Sequence, residues 1–167
     1  NYANVAAARM LGLEAVRANI LSETAEEELD LYGLGHLIAG TPNDEVNSMA
    51  AQRFAPHFSA ACVWQLTPSD RDEHHTKSVA DDLRSRICFQ GGPDFQTLAA
   101  RVEEGAQLKK IGITEVFTFA KFQEKNPDSP VLFLLDSSGL RPAPADLTKV
   151  AAGTTIFVLA AKAQAEV

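Results

Sequence analysis

The chain has 167 residues, 46% hydrophobic and 22% charged, with a formal net charge of −7. That is ordinary globular composition, with room for one compact domain or two small ones. The acidic balance, with no basic cluster to offset it, argues against a nucleic-acid or anionic-membrane surface. The longest apolar runs, Val131 to Leu135 and Ile156 to Ala161, are too short to span a bilayer.

Val5, Ala6, Ala7, Ala8, Met10 and Leu11 predict a small-residue helix that Gly12 ends. Ala15 to Ile20 reads as a strand. Thr24-Ala25-Glu26-Glu27 has the form of a capping box, opening a short helix that stops near Gly33. His36 to Gly40 is the next strand. Gly40-Thr41-Pro42-Asn43-Asp44-Glu45-Val46-Asn47 follows it directly. Thr41 suits the cap of a new helix, Pro42 its first position, and Asp44 and Glu45 its first turn. That helix is expected from Pro42 to about Phe54, with Val46, Met49, Ala50, Arg53 and Phe54 at helical spacing and Pro56 closing it. Ala61 to Leu66 is a third strand. The order and the spacing of about twenty residues are those of βαβ units in a parallel sheet.

Pro68 to Ser78 is polar and without an apolar period, so it reads as a linker. Beyond it, Arg86 to Gln90 is strand-like. Asp94 suits the cap of a helix through Phe95, Leu98, Ala99 and Val102, with Gly105 as its stop. Leu108, Ile111 and Ile113 are strand-like, and Phe117, Phe119 and Phe122 mark a short helix or turn. Val131 to Leu135, Asp136-Ser137-Ser138-Gly139 and Leu140 to Ala145 form a hairpin pattern, and Thr154 to Ala161 a last strand. The fold class is therefore α/β: a partial Rossmann-like parallel sheet (βαβαβ) followed by a small α+β lobe. Residues 1–68 are assigned to the first lobe, 69–78 to the linker and 79–167 to the second lobe.

No catalytic constellation emerges. Gly33-Leu34-Gly35 fails as a dinucleotide fingerprint, because Ile38 occupies the third glycine position and the pair precedes a strand. His74 and His75 are adjacent, which points their side chains apart in extended chain, and no second ligand cluster accompanies them. Ser137 and Ser138 lack a nucleophile-elbow frame. Cys62 and Cys88 read as buried, reduced thiols of a cytosolic protein. The chain begins Asn1-Tyr2-Ala3-Asn4, without a methionine or a signal-like segment, and reads as a piece of a longer polypeptide. What remains is the set of strand ends: Asn19, Thr41 and Thr67. In parallel strands they share one sheet edge, where open α/β sheets bind ligands. Asn19 could face a base edge and Thr41 a ribose or phosphate, or both could simply cap turns and helices.

Several stretches resemble the cytoplasmic tail of bacterial cation:proton antiporters of the sodium/hydrogen exchanger type. They are Asn4-Val5-Ala6-Ala7-Ala8-Arg9, Leu11-Gly12-Leu13-Glu14-Ala15-Val16, Asn19-Ile20-Leu21-Ser22-Glu23, Ala25-Glu26-Glu27-Glu28-Leu29-Asp30 and Thr41-Pro42-Asn43-Asp44-Glu45-Val46-Asn47. That tail is similar to the TrkA N-terminal domain, the NAD-binding regulatory fold also found in RCK gating rings of potassium channels. The resemblance is dense from Asn1 to about Pro68 and weaker from Arg86 to Leu159. It implies a non-enzymatic regulatory domain on the cytoplasmic face of the bacterial inner membrane, joined to an upstream antiporter membrane domain. It also implies a homodimer without a nucleic-acid partner. The family's glycine turn and ribose-holding acid would lie upstream of Asn1. Asn1, Asn19, Thr41, Pro42 and Asn43 are the cofactor-binding positions implied within the chain. The family's third strand ends Gly-Asp where this chain has Ala18-Asn19, which removes a carboxylate acceptor. That loss counts against tight NAD binding even in the intact protein; the resemblance leaves NAD or another adenine nucleotide open as its ligand, and this chain is expected to bind it weakly or not at all. The alternative is a soluble RCK/TrkA-type module of a potassium transport system.

Overall fold

The computed structural model describes residues 2–20, 22, 29, 31–69 and 86–161. The chain forms two compact units, Asn1–Gly35 and His36–Val167.

In the first unit, α1 spans Tyr2–Met10. Its small residues favour the helix, and Gly12, at φ +77, ends it in the left-handed conformation that glycine adopts without penalty. The Gly12 N–H donates to the Arg9 carbonyl at 2.9 Å. Ala15 to Ile20 is not a strand. Alternation alone does not make one, since an extended segment becomes a strand only when a neighbour takes its N–H and C=O groups. Here Arg9 Nε donates to the Ala15 carbonyl at 2.8 Å, and the Arg17 guanidinium lies 4.4 Å from the Tyr2 ring centre. No described residue of this unit is buried. The capping box at Thr24 falls outside the described residues.

In the second unit, three parallel strands form a sheet in the order β1 (Leu37–Ala39), β2 (Val63–Gln65), β3 (Arg86–Ile87). Leu37 pairs with Val63, and Trp64 with Arg86. The expected α/β class with a parallel sheet is present, but its strands are shifted along the chain. The strand at Arg86, expected to open the second lobe, is the third strand of the parallel sheet. Trp64 is 3% exposed, covered by the Arg86 guanidinium 4.3 Å from its ring centre. Its indole N–H donates to His36 Nδ1 at 3.4 Å.

Helix α2 (Asp44–Phe58) connects β1 to β2. Asn43 is its cap, accepting from the Val46 N–H at 2.9 Å, two residues beyond the expected Thr41. The buried face is Asn47, Ala50, Ala51, Phe54 and Phe58, while Met49 is 52% exposed. The expected stripe is therefore one residue out of phase. Pro56 lies inside the helix instead of closing it. A proline costs one ladder hydrogen bond, and the burial of Phe54 and Phe58 on either side opposes that cost.

The remaining elements are α3 (Phe95–Glu103), β4 (Gln107–Gly112), α4 (Phe119–Lys125), β5 (Val131–Asp136), β6 (Gly139–Pro142) and β7 (Thr155–Ala160). The last four strands form an antiparallel sheet in the order β4-β7-β5-β6. Asp94 caps α3 and Thr118 caps α4. The core of this lobe gathers Ile113, Phe119, Phe122, Val131, Leu134, Ala143, Ile156 and Val158. The β5–β6 hairpin turns at Ser137-Ser138. Asp136 accepts there from the Ser138 N–H at 2.8 Å and pairs with Arg141 at 2.6 Å. Those two partners, the backbone N–H first, hold the Asp136 carboxyl below the usual range.

The two sheets are joined through backbone. Residues 143–145 run antiparallel to the end of β3, with a bridge between Cys88 and Pro144. The Phe89 N–H donates to the Ala143 carbonyl, the Gly91 N–H to Ala145 and the Ala145 N–H to Ile87. Gln90 tightens the seam: its Nε2 donates to the Leu147 carbonyl and its Oε1 accepts from the Val131 N–H. Cys88 is fully buried here, and burial pushes its thiol up to about 12.

Candidate functional site

Because β1, β2 and β3 are parallel, the segments after them emerge on one sheet edge: Gly40 to Asn43, Leu66 to Ser69, and Cys88 to Asp94. This is the edge at which open α/β sheets take ligands.

The segment after β1 holds Thr41, Pro42 and Asn43 together, all three exposed. Its polar atoms are largely spent on itself. Asn47, 3% exposed, accepts from the Thr41 N–H at 2.9 Å and from Thr41 Oγ1 at 2.7 Å, and its Nδ2 donates to the Thr41 carbonyl at 2.9 Å. The Asn43 side-chain oxygen is the helix cap. The segment after β2 is tied to the same helix, since the Ser69 N–H donates to Asp44 Oδ2 at 2.8 Å. Of the other expected site residues, Asn19 lies in the first unit on a segment that is not a strand. It is exposed, with its carbonyl accepting from the Ser22 N–H. Asn1 falls outside the described residues.

The segment after β3 is different. Phe89, Gly91 and Gly92 all have positive φ, at 69°, 81° and 58°. This twisted turn carries the chain from β3 into α3. Gly92 has no space for a side chain: a Cβ there would sit 2.8 Å from Thr67 Oγ1, so the segments after β2 and β3 touch. Beside the turn lies a cleft of about 770 Å³. Thr67 to Ser69 and Gln90 to Asp94 supply one side of its lining. Thr97 and Arg101 of α3 contribute, and the chain from Phe122 to Pro130 supplies the rest. Its volume falls in the range of small-molecule sites.

Sequence reasoning missed this turn. Asp94 was legible as a helix cap, but Arg86 to Gln90 read as part of another lobe. Gly91-Gly92-Pro93-Asp94 was therefore never placed at the end of a parallel strand. The available signal was a glycine pair between a strand-like run and a capped amphipathic helix.

One further atom bears on the edge. Gln65, the last residue of the central strand, is 2% exposed, and its Oε1 has no hydrogen-bond partner among the described residues. Among the described residues no cluster of three or more His, Cys, Asp or Glu residues is arranged to hold a metal ion. Nor is any helix among them long and apolar enough to cross a membrane. No family model matches the chain, and no curated protein matches it.

Proposed function

We propose that this chain belongs to the cytoplasmic regulatory portion of a bacterial cation:proton antiporter of the sodium/hydrogen exchanger type, with a TrkA-N/RCK-like organisation. The observation that carries the reading is the order of parts. Three parallel strands with α2 crossing between the first two are followed by a four-stranded antiparallel lobe. That order agrees with a nucleotide-binding half followed by a smaller regulatory lobe, the arrangement the sequence resemblance implies. The role is regulatory, not catalytic. Thr41, Pro42 and Asn43 stand at the sheet edge and would border a nucleotide site whose polar contacts come mainly from upstream residues of the intact protein, since Asn47 and the start of α2 hold most of this turn's own hydrogen bonds. NAD or another adenine nucleotide is the proposed ligand there. Exchange would respond only if that ligand bound two conformations with unequal affinity. The reading includes a homodimer, supported by the exposed apolar side chains Met10, Leu11 and Leu13 of the first unit.

The test is transport. The intact polypeptide is expressed, and cation-driven proton movement is followed in everted membrane vesicles with and without added NAD or ATP. The reading expects exchange activity whose nucleotide response disappears when residues 1–167 of this sequence are deleted. A full-length protein that fractionates with the cytosol and carries no exchange activity would favour the soluble potassium-transport module instead. Light scattering on the intact protein tests the dimer.

A further inference from the structure

The cleft beside the β3–α3 turn is separate from the Thr41 to Asn43 segment and does not depend on the antiporter reading. Its lining has a consistent chemistry. The side chains of Thr67, Ser69, Gln123 and Ser129 are half-buried around it, and none has a hydrogen-bond partner among the described residues. These hydroxyls and this amide offer donors and acceptors to an occupant. Pro68, Pro93, Pro127 and Pro130 supply rigid apolar surface between them. The charges are balanced against an anion: the cleft has one guanidinium, Arg101, and two carboxylates, Asp94 and Asp128. Arg101 is already donating to the Asp128 backbone carbonyl. A triphosphate or pyrophosphate would meet a lining of net negative charge.

We propose that this cleft binds an uncharged heterocycle carrying hydroxyls, of nucleoside size. Stiff apolar faces take the ring, and the hydroxyls and amide take its polar edge and its hydroxyl groups. The occupant would touch both lobes, because one side of the cleft follows β2 and β3 and the other runs from α4 to β5. The backbone seam between β3 and residues 143–145 makes the two sides parts of one body. The geometry therefore calls for a preformed site, with little rearrangement on binding.

Adenosine, guanosine, cytidine and uridine are titrated separately into the 167-residue chain by calorimetry, with ATP as the charged comparison. At least one nucleoside should bind saturably below about 1 mM, and ATP should bind no tighter than adenosine. Thr97→Trp and Ser129→Trp place bulk in the cleft from opposite sides, and Thr97 is exposed, so the first should fold normally. Each should weaken nucleoside binding at least tenfold, with an unchanged circular-dichroism spectrum confirming the fold. Absence of saturable binding by all four nucleosides would overturn the proposal. So would ATP binding tenfold tighter than adenosine, or nucleoside affinity that survives Thr97→Trp.

Discussion

Two turns leave the same edge of the parallel sheet and are built in opposite ways. The turn after β1 is closed on itself: Asn47 reaches back from α2 and takes the Thr41 N–H, hydroxyl and carbonyl. The turn after β3 is twisted through left-handed backbone and opens onto a cleft where the side chains of Thr67, Ser69, Gln123 and Ser129 have no hydrogen-bond partner among the described residues. A polar, strand-terminal sequence such as Thr-Pro-Asn-Asp is thus no guarantee of a free binding edge. What decides is whether a buried side chain nearby has already claimed its hydrogen bonds.

The largest way to break this comparison is to remove what anchors α2. Phe54 is 1% exposed. Phe54→Ala should cost about 3–5 kcal/mol in urea titration. A loss below about half a kcal/mol would mean that α2 does not hold the first turn through its packing. Next comes the knot itself. Asn47→Ala deletes the three hydrogen bonds that tie α2 to the exposed Thr41, at a cost of about 1–3 kcal/mol. Asn47→Asp keeps the acceptor but sets a carboxylate oxygen against the Thr41 carbonyl, where Nδ2 donates at 2.9 Å, and buries a charge, so it should cost at least as much as Asn47→Ala.

The second turn is sharpened by Gly92→Ala. The new methyl group meets Thr67 Oγ1 at 2.8 Å in a backbone region unfavourable to L-residues. The backbone term alone should cost about 1–2 kcal/mol. Adding Thr67→Ala should recover the steric part and leave the backbone part, a pattern a double-mutant cycle reads directly.

The smallest effects concern pH and lie away from both turns. Asp136 has a depressed folded pKa, so its contribution is present above the unfolded carboxylate value and is lost as the pH falls through the folded value. The pair lies at the surface, with the Asp136 side chain 24% and the Arg141 side chain 37% exposed, and solvent screening keeps that contribution small. Asp136→Asn should flatten the acid side of the stability profile slightly. Cys88 has the opposite sense. Its folded value is raised to about 12, so stability is complete below the unfolded thiol value and falls as the pH rises from there through the folded one. Cys88→Ala should flatten the alkaline side, read from urea midpoints at pH 8 and pH 10.

Much of the second unit was legible because its signals are local. Asp94 before Phe95, the hairpin around Ser137-Ser138 and the phenylalanines at 119 and 122 each specify their element within a few residues. Three errors share a cause: the deciding partner is distant in sequence or polar in kind. Ala15 to Ile20 alternates correctly, but no described strand pairs with it. The phase of α2 slipped because Asn47, a polar residue, belongs to the buried stripe, where its hydrogen bonds to Thr41 compensate its burial. Arg86 to Ile87 is only two residues long, and its membership of the parallel sheet depends on Trp64 and Gln65, more than twenty residues upstream. The cleft was invisible for the same reason, since its two sides come from residues 67–101 and 122–130.

The contrast between the closed and the open turn is tested most directly by amide chemical-shift mapping. The ¹⁵N-labelled chain is titrated with the tightest of the four nucleosides, and the shifted amides are assigned. The structure predicts saturable shifts at Gly91, Gly92, Thr97, Gln123 and Ser129, with Thr41 and Asn43 unmoved. Shifts centred on Thr41, Asn43 and Val46, with the amides of the cleft silent, would contradict it.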